Sequence, residues 1–254
     1  CDGTDVLALP AARDHKRLED GDRGPNTGGM GAFSPVPDLP DDEAGGLLER
    51  IHRPILAELA RRGSPFRGAL YAGLMLTEDG PVLLECNARF GDPETQVVVP
   101  RLAVALGPLL LAAAGGNLRR AARSLRLAGT HLPVRPDATV GVVLAAGGYP
   151  LTSRAGDQID GLDAAAATGA LIFHGGTAIG PGGRFITAGG RILTIVGRGA
   201  DLEAARQHAD SSADLIRFPG AVRRRDIGLA AGPVDLGAGA GAVTTAADDR
   251  RVAS

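Results

Sequence analysis

Polar side chains occupy every second position where an apolar run near the middle of the chain comes to its end. Successive side chains of a strand point to opposite faces, so this alternation predicts a strand that presents polar groups on one side. The side that we expect to carry the polar groups contains Leu83, Glu85, Asn87 and Arg89. The side that we expect to face a core contains Val82, Leu84 and Cys86.

The polar end of this strand suggests a metal and phosphate site. Glu85 and Asn87 offer two hard oxygen donors, which suit Mg²⁺ holding a polyphosphate, and the guanidinium of Arg89 would neutralise transferred charge. The plainer alternative is a polar strand end with a surface Arg–Glu pair. A turn follows, in which Asp92 is placed to cap a helix that opens with Pro93 at its first position.

The rest of the hydrophobic pattern predicts further helices and short strands. Helical spacing covers residues 41–62 and 201–216, and residues 96–114 are almost wholly apolar, which predicts a buried helix despite Pro100 and Pro108. Short apolar runs bounded by turn residues predict strands. These strands cover residues 5–9, 68–77, 139–146, 171–177, 185–187 and 189–197. The turn at Glu78, Asp79 and Gly80 predicts a hairpin between 68–77 and the polar strand.

A stretch rich in glycine and proline, residues 24–35, predicts irregular backbone. Its glycines would let backbone N–H groups approach a phosphate or a carboxylate, so an anion cradle is the functional interpretation. A plain surface loop is the alternative. No Gly-Lys-Ser/Thr ending is present, which excludes a Walker phosphate loop.

Composition indicates a soluble globular protein with one large or two ordinary domains, since 254 residues at 44% apolar content can fill a core. A net charge of -2 gives no reason to expect nucleic acid or an anionic membrane as partner. No apolar run reaches the roughly 18 residues of a membrane helix. Two cysteines without a paired motif fit a reducing compartment, and we expect a cytoplasmic protein.

The basic residues are strongly skewed, because Lys16 is the only lysine among 27 basic residues. Codon bias is the ordinary explanation, and the alternative is a site that needs a compact ammonium group. The chain begins at Cys1 in what reads as the second half of a hairpin, so we expect it to be a fragment of a longer protein.

Seven motifs occur in a fixed order between residues 14 and 228. They are Asp14-His15-Lys16-Arg17, Gly24-Pro25-Asn26-Thr27-Gly28-Gly29-Met30-Gly31-Ala32, Leu70-Tyr71-Ala72-Gly73-Leu74-Met75, the run 85–96, Ala145-Ala146-Gly147-Gly148-Tyr149-Pro150, Phe173-His174-Gly175-Gly176-Thr177 and Arg225-Asp226-Ile227-Gly228. This order resembles the glycinamide ribonucleotide synthetases, also called phosphoribosylamine–glycine ligases, of the ATP-grasp superfamily.

The resemblance implies an α+β fold: the carboxyl-terminal half of an ATP-grasp domain, an antiparallel sheet with helices, followed by a small mixed α/β closing domain. The expected divisions are a partial ATP-grasp domain at 1–116, a linker at 117–137, a small domain at 138–228 and a disordered tail at 229–254. In the family, an amino-terminal domain and an adenine-clamping lobe precede this region.

The resemblance also implies an ATP-dependent carbon–nitrogen ligase of de novo purine (IMP) biosynthesis. Such an enzyme joins glycine to 5-phosphoribosylamine through a glycyl phosphate, uses Mg²⁺ or Mn²⁺ with ATP as co-substrate, and is expected to be a monomer. The metal pair would be Glu85 and Asn87, and Arg89 would be catalytic. The substrate-binding residues would be Asp14, His15, Lys16, Arg17, Pro25, Asn26, Thr27, Gly28, Gly29, Met30, Gly31, Asp92 and Glu94.

Three positions depart from the family pattern, namely Val104-Ala105-Leu106 in place of a Ser-Asp-Leu run, Leu151 in place of glycine and Gly175 in place of alanine. Two alternatives to the ligase stay open. One is a truncated, non-catalytic remnant that binds phosphate ligands or a partner. The other is a different ATP-grasp carboxylate–amine ligase.

Overall fold

The computed structural model describes residues 1–39 and 45–229, which contain eleven strands and six α-helices. The strands are β1 (Arg13–Asp14), β2 (Arg17–Glu19), β3 (Arg23–Asn26), β4 (Gly31–Ser34), β5 (Tyr71–Thr77), β6 (Gly80–Asn87), β7 (Ala138–Ala145), β8 (Leu171–His174), β9 (Thr177–Ile179), β10 (Phe185–Thr187) and β11 (Arg191–Gly199). The helices are α1 (Arg53–Arg61), α2 (Glu94–Val98), α3 (Leu106–Ala114), α4 (Leu118–Ser124), α5 (Leu162–Ala167) and α6 (Leu202–Ala213). A π-helical turn, Leu48–His52, leads into α1, and 3₁₀ turns lie at Val99–Arg101 and Pro181–Gly183.

A five-stranded antiparallel sheet in the order β1-β4-β7-β11-β8 is the centre of the molecule. Gly31 pairs with Val142 and Ser34 pairs with Thr139, so β4 lies directly beside β7 although the two are far apart in sequence. The α+β class with an antiparallel sheet and helices is therefore confirmed.

Helix α6 packs on β7 and β11 and closes the main core. Its small residues Ala205 and Ala209 allow a close approach to the strands, where Val140, Val142 and Ile227 are fully buried or nearly so. Asp201 caps the helix by accepting a hydrogen bond from the N–H of Ala204 at 2.8 Å. Burial of each large apolar side chain in this core stabilises the fold by roughly 1.5–3 kcal/mol.

Strands β5 and β6 form a separate two-stranded hairpin, as the sequence predicts. A bulge interrupts it, because Gly73 pairs with Glu85 whereas Leu74 pairs with Leu83, which leaves Leu84 between them.

The prediction that Val82, Leu84 and Cys86 face a core is wrong. Val82 and Leu84 are 49% and 62% exposed, and Cys86 is also exposed. Among the described residues the hairpin has only two strands, and Leu84 occupies its bulge. The apolar side chains of β6 are therefore not buried within the described part of this chain.

Three further expectations are corrected by the backbone. Residues 24–35 are not wholly irregular, since they include the end of β3 and the buried strand β4. Residues 5–9 form no strand and make only a bridge from Ala8 to His131. The helix predicted over 96–114 is broken between Val99–Arg101 and α3, where Leu102 adopts extended backbone.

The predicted domain division at 1–116, 117–137 and 138–228 stays a prediction. The segment expected to be a linker contains α4, whose Leu118 is buried with Leu109 and Ala113 of α3. The disordered tail is predicted at 229–254. Its first residue, Leu229, is described and donates its N–H to the carbonyl of Asp226 at 3.1 Å, whereas residues 230–254 lie outside the described residues, as do residues 40–44. No helix in the described part of the chain is long and apolar enough to cross a membrane.

Candidate active site

A cavity of about 1080 Å³ lies between the β5–β6 hairpin, the start of α2 and the segment that runs from β1 to β3, and it extends along residues 6–12 to apolar side chains of α1 and α3. It brings together half of the residues that the sequence singles out. Those lining it are Asp14, His15, Lys16, Arg17, Asn26, Glu85, Arg89 and Glu94. The predicted residues outside its lining are Pro25, Thr27, Gly28, Gly29, Met30, Gly31, Asn87 and Asp92.

The proposed metal pair lies on one side of β6. Asn87 Nδ2 donates a hydrogen bond to Glu85 Oε1 at 3.0 Å, so the two side chains point the same way, and the Glu85 carboxylate is exposed to the cavity. Rotation of the Asn87 amide would turn Oδ1 to the side on which the Glu85 carboxylate lies, so both oxygens could face one cation. The described residues contain no cluster of three His, Cys, Asp or Glu that could hold a metal. Two oxygen donors completed by phosphate and water fit the usual coordination of Mg²⁺.

Arg89 lies in a bend two residues beyond Asn87, the last residue of β6, and so does not share the strand face as predicted. Its Nη1 donates to the carbonyl of Phe90 at 3.0 Å, and the side chain lines the cavity. A guanidinium here is suited to contact phosphate oxygens bound near Glu85.

A buried carboxylate, Glu94, stands at the start of α2 and faces the cavity. Tyr71 donates its hydroxyl hydrogen bond to Glu94 Oε1 at 3.0 Å. The ammonium of Lys16 lies 4.0 Å from the same oxygen and 2.5 Å from Asp14 Oδ2. The lone lysine is thus placed between two carboxylates, where a compact ammonium fits.

The environment shifts the pKa values of two side chains here, Glu94 and Tyr71. Burial raises the pKa of the Glu94 carboxyl above its ordinary value, and the Asp14 carboxylate adds to the rise while Lys16 and Tyr71 oppose it. Burial, with the charges of Glu94 and Asp14, also raises the pKa of the Tyr71 hydroxyl. Sequence reasoning missed Tyr71, because a tyrosine within an apolar strand gives no signal that it donates to a buried carboxylate.

The two motifs that begin the family pattern pair with each other through their backbones. Thr27 N–H donates to the carbonyl of Lys16 at 2.7 Å, and Met30 N–H donates to the carbonyl of His15 at 2.8 Å. Gly28 N–H donates to the Tyr149 hydroxyl at 2.9 Å, and Gly29 N–H to Thr27 Oγ1 at 3.0 Å. These N–H groups are already used within the chain, so the structure gives no support to an anion cradle made of them.

Close packing accounts for two of the glycines instead. A Cβ at Gly29, which has φ +119°, would lie 2.7 Å from Pro93 Cδ, and a Cβ at Gly31 would lie 2.6 Å from the carbonyl of Gly141. The glycines let the loop lie against α2 and β7, and they hold the Asp14–Arg17 motif at the cavity wall.

Residues from the last third of the chain hold this loop. Arg191 donates to the carbonyls of Gly28 at 3.1 Å and Asp92 at 2.7 Å. Asp92 does not cap α2 as predicted, because its carboxylate accepts from Gln96 at 3.0 Å and pairs with Arg191 at 3.3 Å. Arg191 and Tyr149 were not predicted, since neither lies near the loop in sequence.

His15 lies in the cavity wall beside a second charged cluster. Its Nδ1 is 3.6 Å from Asp22 Oδ1, and Asp22 accepts a hydrogen bond from Arg224 at 2.6 Å. Burial lowers the pKa of the His15 imidazole, the positive charge of Arg224 lowers it further, and the carboxylates of Asp22 and Asp226 oppose this. Only the Arg225-Asp226-Ile227-Gly228 motif signalled this region in the sequence.

Comparison with known families matches both parts of the chain to one enzyme family. Residues 1–95 match the phosphoribosylglycinamide synthetase ATP-grasp (A) domain, and residues 139–230 match the phosphoribosylglycinamide synthetase C domain.

Individual relatives agree with these matches. The chain is 45% identical over 228 residues to a phosphoribosylamine–glycine ligase of Mesorhizobium japonicum, covering 90% of this chain and 51% of that protein. It is 46% identical over 230 residues to the ligase of Mycobacterium leprae, covering 91% and 51%. The crystal structure of phosphoribosylamine–glycine ligase from Thermotoga maritima superimposes with a TM-score of 0.76 at 37% identity, covering 89% of this chain and 53% of that one.

A more distant likeness concerns the fold alone. The Kluyveromyces lactis urea carboxylase superimposes with a TM-score of 0.56 at 17% identity. The chain spans about half the length of the relatives that it matches, 51% of both bacterial ligases. With its ATP-grasp fold and both family domains matched, the chain belongs to the phosphoribosylglycinamide synthetase family.

Proposed function

We propose that this chain supplies the metal-binding and acceptor-binding part of a phosphoribosylamine–glycine ligase. The reaction would join glycine to 5-phosphoribosylamine with ATP in purine (IMP) biosynthesis. The observation that carries the proposal is that Glu85 and Arg89 line the same cavity as the Asp14–Arg17 motif and Glu94. A phosphate-binding strand end and an amine- and carboxylate-binding wall would then face one reaction space.

Two bond exchanges make up the proposed reaction. The glycine carboxylate attacks the γ-phosphorus of ATP, and ADP leaves, which produces glycyl phosphate. The amine of 5-phosphoribosylamine then attacks the glycyl carbonyl carbon, phosphate leaves, and the amine loses a proton. Such chemistry asks the protein chiefly for positioning and charge neutralisation.

The residues of the chain divide this work. Glu85 and Asn87 would hold Mg²⁺ or Mn²⁺, which supplies positive charge to the phosphate oxygens when bound. Arg89 would contact the transferred phosphoryl group. Lys16 and Arg17 would bind anionic groups of the substrates.

The carboxylates have a complementary role in this proposal. Asp14 and Glu94 would attract the ammonium of glycine or the amine of the acceptor, in the place where they now surround Lys16. We also propose, from composition and family, that the protein acts as a monomer in the cytoplasm on small molecules, without a nucleic acid or membrane partner.

Calorimetry with MnCl₂ tests the metal assignment on the chain itself. Glu85→Gln should abolish Mn²⁺ binding while leaving the circular dichroism spectrum unchanged, because the substitution removes charge and hardly changes shape. Glu78→Gln, in the exposed turn of the same hairpin, is the matched control and should bind as wild type does. Equal binding by all three proteins would refute the assignment.

An activity assay tests the reaction. A chimera would join this chain to the amino-terminal half of the Mesorhizobium japonicum ligase, and ADP release would be followed. We expect ADP release only when both glycine and 5-phosphoribosylamine are present, and its loss on Glu85→Gln. Activity with bicarbonate in place of glycine would identify another carboxylate-activating enzyme, and an inactive, folded chimera would favour a non-catalytic remnant.

A further inference from the structure

The last described segment of the chain contacts the β2–β3 hairpin, from which it is about two hundred residues distant. Gly21 N–H donates to Asp226 Oδ2 at 2.7 Å, across 205 residues of sequence. Arg225 N–H donates in turn to Asp20 Oδ1 at 2.7 Å, across the same separation. The turn of the hairpin is thus hydrogen-bonded on both sides to the Arg225-Asp226-Ile227-Gly228 motif, which lies near the end of the described residues.

A fully buried arginine lies at the centre of this contact. The Arg224 guanidinium donates from Nε and Nη2 to the two oxygens of Asp226, at 2.7 and 2.6 Å, in a bidentate pair. Its Nη1 donates to Asp22 Oδ1 at 2.6 Å and to the carbonyl of Arg17 at 3.2 Å. One side chain therefore bonds to the turn of the hairpin and to the first residue of β2.

The turn that Arg224 holds is not in a relaxed conformation. Asp22 has φ +52°, a left-handed backbone conformation that residues other than glycine seldom adopt. The ion pair with Arg224 and the bond from Gly21 to Asp226 hold the turn in this conformation.

The hairpin and its neighbour form part of the cavity wall. Arg17, Asp22 and Asn26 line the cavity, and so does His15, which precedes β2. The charged groups acting on His15 are Asp22, at 3.6 Å from its Nδ1, with Arg224 and Asp226 behind it. Strand β4 contributes the uncharged ring of Phe33, with its centroid 5.9 Å from that of the imidazole.

We propose that Arg224 and Asp226 are positioning residues, which fix the β2–β3 hairpin, and through Asp22 the imidazole of His15, in the wall of the reaction cavity. A motif at the far end of the chain thereby sets the shape of the wall that carries Arg17 and Asn26. The inference rests on the proposed function for what the cavity binds, and on the contacts alone for what holds the wall.

The choice of arginine fits this role. Arginine forms a planar fork that meets a carboxylate at two points and still reaches further acceptors, whereas lysine offers one compact ammonium. Arg224→Lys should therefore keep the charge and lose the geometry, and Arg224→Met should lose both. Arg225→Met is the matched control, since the Arg225 side chain is exposed and bonds to Asp214, while its backbone bond to Asp20 is kept.

Hydrogen exchange on the whole 254-residue chain measures the hold on the hairpin. In Arg224→Met and in Asp226→Asn we expect the Gly21 amide to exchange roughly tenfold faster or more, because it loses a charge-assisted hydrogen bond or the group that orients its acceptor. Amides of β7 and β11 should keep their wild-type rates. Arg224→Lys should give an intermediate rate, and Arg225→Met the wild-type rate.

An NMR titration measures how Arg224 and Asp22 affect the titration midpoint of the His15 imidazole. His15→Gln is used to assign its resonance. Loss of the Arg224 charge should raise the titration midpoint in Arg224→Met by about half a pH unit or more. Asp22→Asn should move the midpoint the other way, because it removes a negative charge beside the ring while asparagine still tolerates the left-handed turn. Arg225→Met should leave the midpoint in place.

Unchanged Gly21 exchange in the Arg224 variants, together with an unchanged His15 midpoint in Arg224→Met, would overturn the proposal, as would equal effects of Arg225→Met. If Arg224→Met does not fold, the Gly21 exchange rate in Arg224→Lys and the His15 midpoint in Asp22→Asn decide the matter. Neither readout requires turnover, so a failure here is separate from an inactive chimera, which would count against the proposed ligase reaction.

Discussion

Arg191 and Asp92 join the longest strand of the central sheet to the turn that follows the proposed metal strand. Arg191 Nη1 donates to the Asp92 carbonyl at 2.7 Å, and Nη2 lies 3.3 Å from the Asp92 carboxylate. The same guanidinium donates to the carbonyl of Gly28 at 3.1 Å. A single side chain thus fixes both the glycine-rich loop and the entry to α2.

Removal of this side chain should loosen the loop without unfolding the sheet. We expect Arg191→Met to reduce the free energy of unfolding by about 1–3 kcal/mol, since three acceptors lose a charged donor. Urea denaturation gives this value, and hydrogen exchange should show faster exchange at the Gly28 amide. Arg184→Met, which loses one exposed bond to Gln158, should stay within about 0.5 kcal/mol of wild type. Equal losses in both variants would contradict the assignment.

Glu94→Gln should stabilise the protein at neutral pH. Burial raises the pKa of Glu94 in the folded state, so its charged form costs stability above the ordinary glutamate pKa of about 4.3. Glutamine removes that cost and still accepts the Tyr71 hydrogen bond. We expect a gain of a few degrees in Tm at neutral pH, which shrinks as the pH falls toward that value.

Thermal melts across this pH range measure the effect. Glu58→Gln is a control with the opposite environment, because Glu58 is exposed, arginine neighbours lower its pKa, and its neutralisation should give no gain. A Glu94→Gln protein that melts below wild type at neutral pH would show that the carboxylate is needed for the fold.

His15→Gln should flatten the acid side of the stability profile. The folded-state pKa of His15 lies below its ordinary value of about 6.5, so the unfolded chain binds the proton first. Stability is therefore lost as the pH falls from about 6.5 through the folded-state pKa, and glutamine removes this part of the loss. Denaturant midpoints measured at several pH values test it.

Another buried histidine also contributes to the acid side of the profile. Burial lowers the pKa of His52, so some slope should remain in His15→Gln. A profile for His15→Gln that coincides with wild type would mean that this imidazole does not resist protonation in the folded state.

Shortening a buried side chain of the central sheet should reduce the free energy of unfolding strongly. Ile195 on β11 is fully buried, and Ile195→Ala should cost about 2–5 kcal/mol in urea denaturation through lost burial and an unfilled cavity. Ile179→Ala removes the same atoms from a side chain that is 63% exposed and should change stability by less than about 1 kcal/mol. Similar losses at the two positions would contradict the described core.

Sequence patterns correctly predicted the helices and strands that depend mainly on their own residues. The hairpin β5–β6 follows from its turn residues, β7 follows from a short apolar run, and α6 follows from helical spacing. The paired direction of Glu85 and Asn87 also follows from strand geometry alone. These features require no knowledge of distant contacts.

The features that the sequence did not predict depend mainly on contacts with other parts of the chain. Strand β4 is short and begins with glycine, and it is a strand because β1 and β7 supply its hydrogen bonds. In the sequence, Arg224 resembles any surface arginine in a basic run. In the fold it is buried, and its guanidinium pairs with Asp22 and Asp226. Sequence periodicity cannot show which side of a hairpin is covered, so it did not predict that Leu84 is exposed.

The position of β4 between β1 and β7 has a consequence for the exchange of segments among members of this family. A graft that transferred only the carboxyl-terminal segment from β7 onward would leave its sheet with a bare edge, because the two neighbouring strands are encoded more than a hundred residues earlier. The natural unit of transplantation therefore includes the glycine-rich loop, and breakpoints chosen at the apparent joint near residue 137 should give insoluble products.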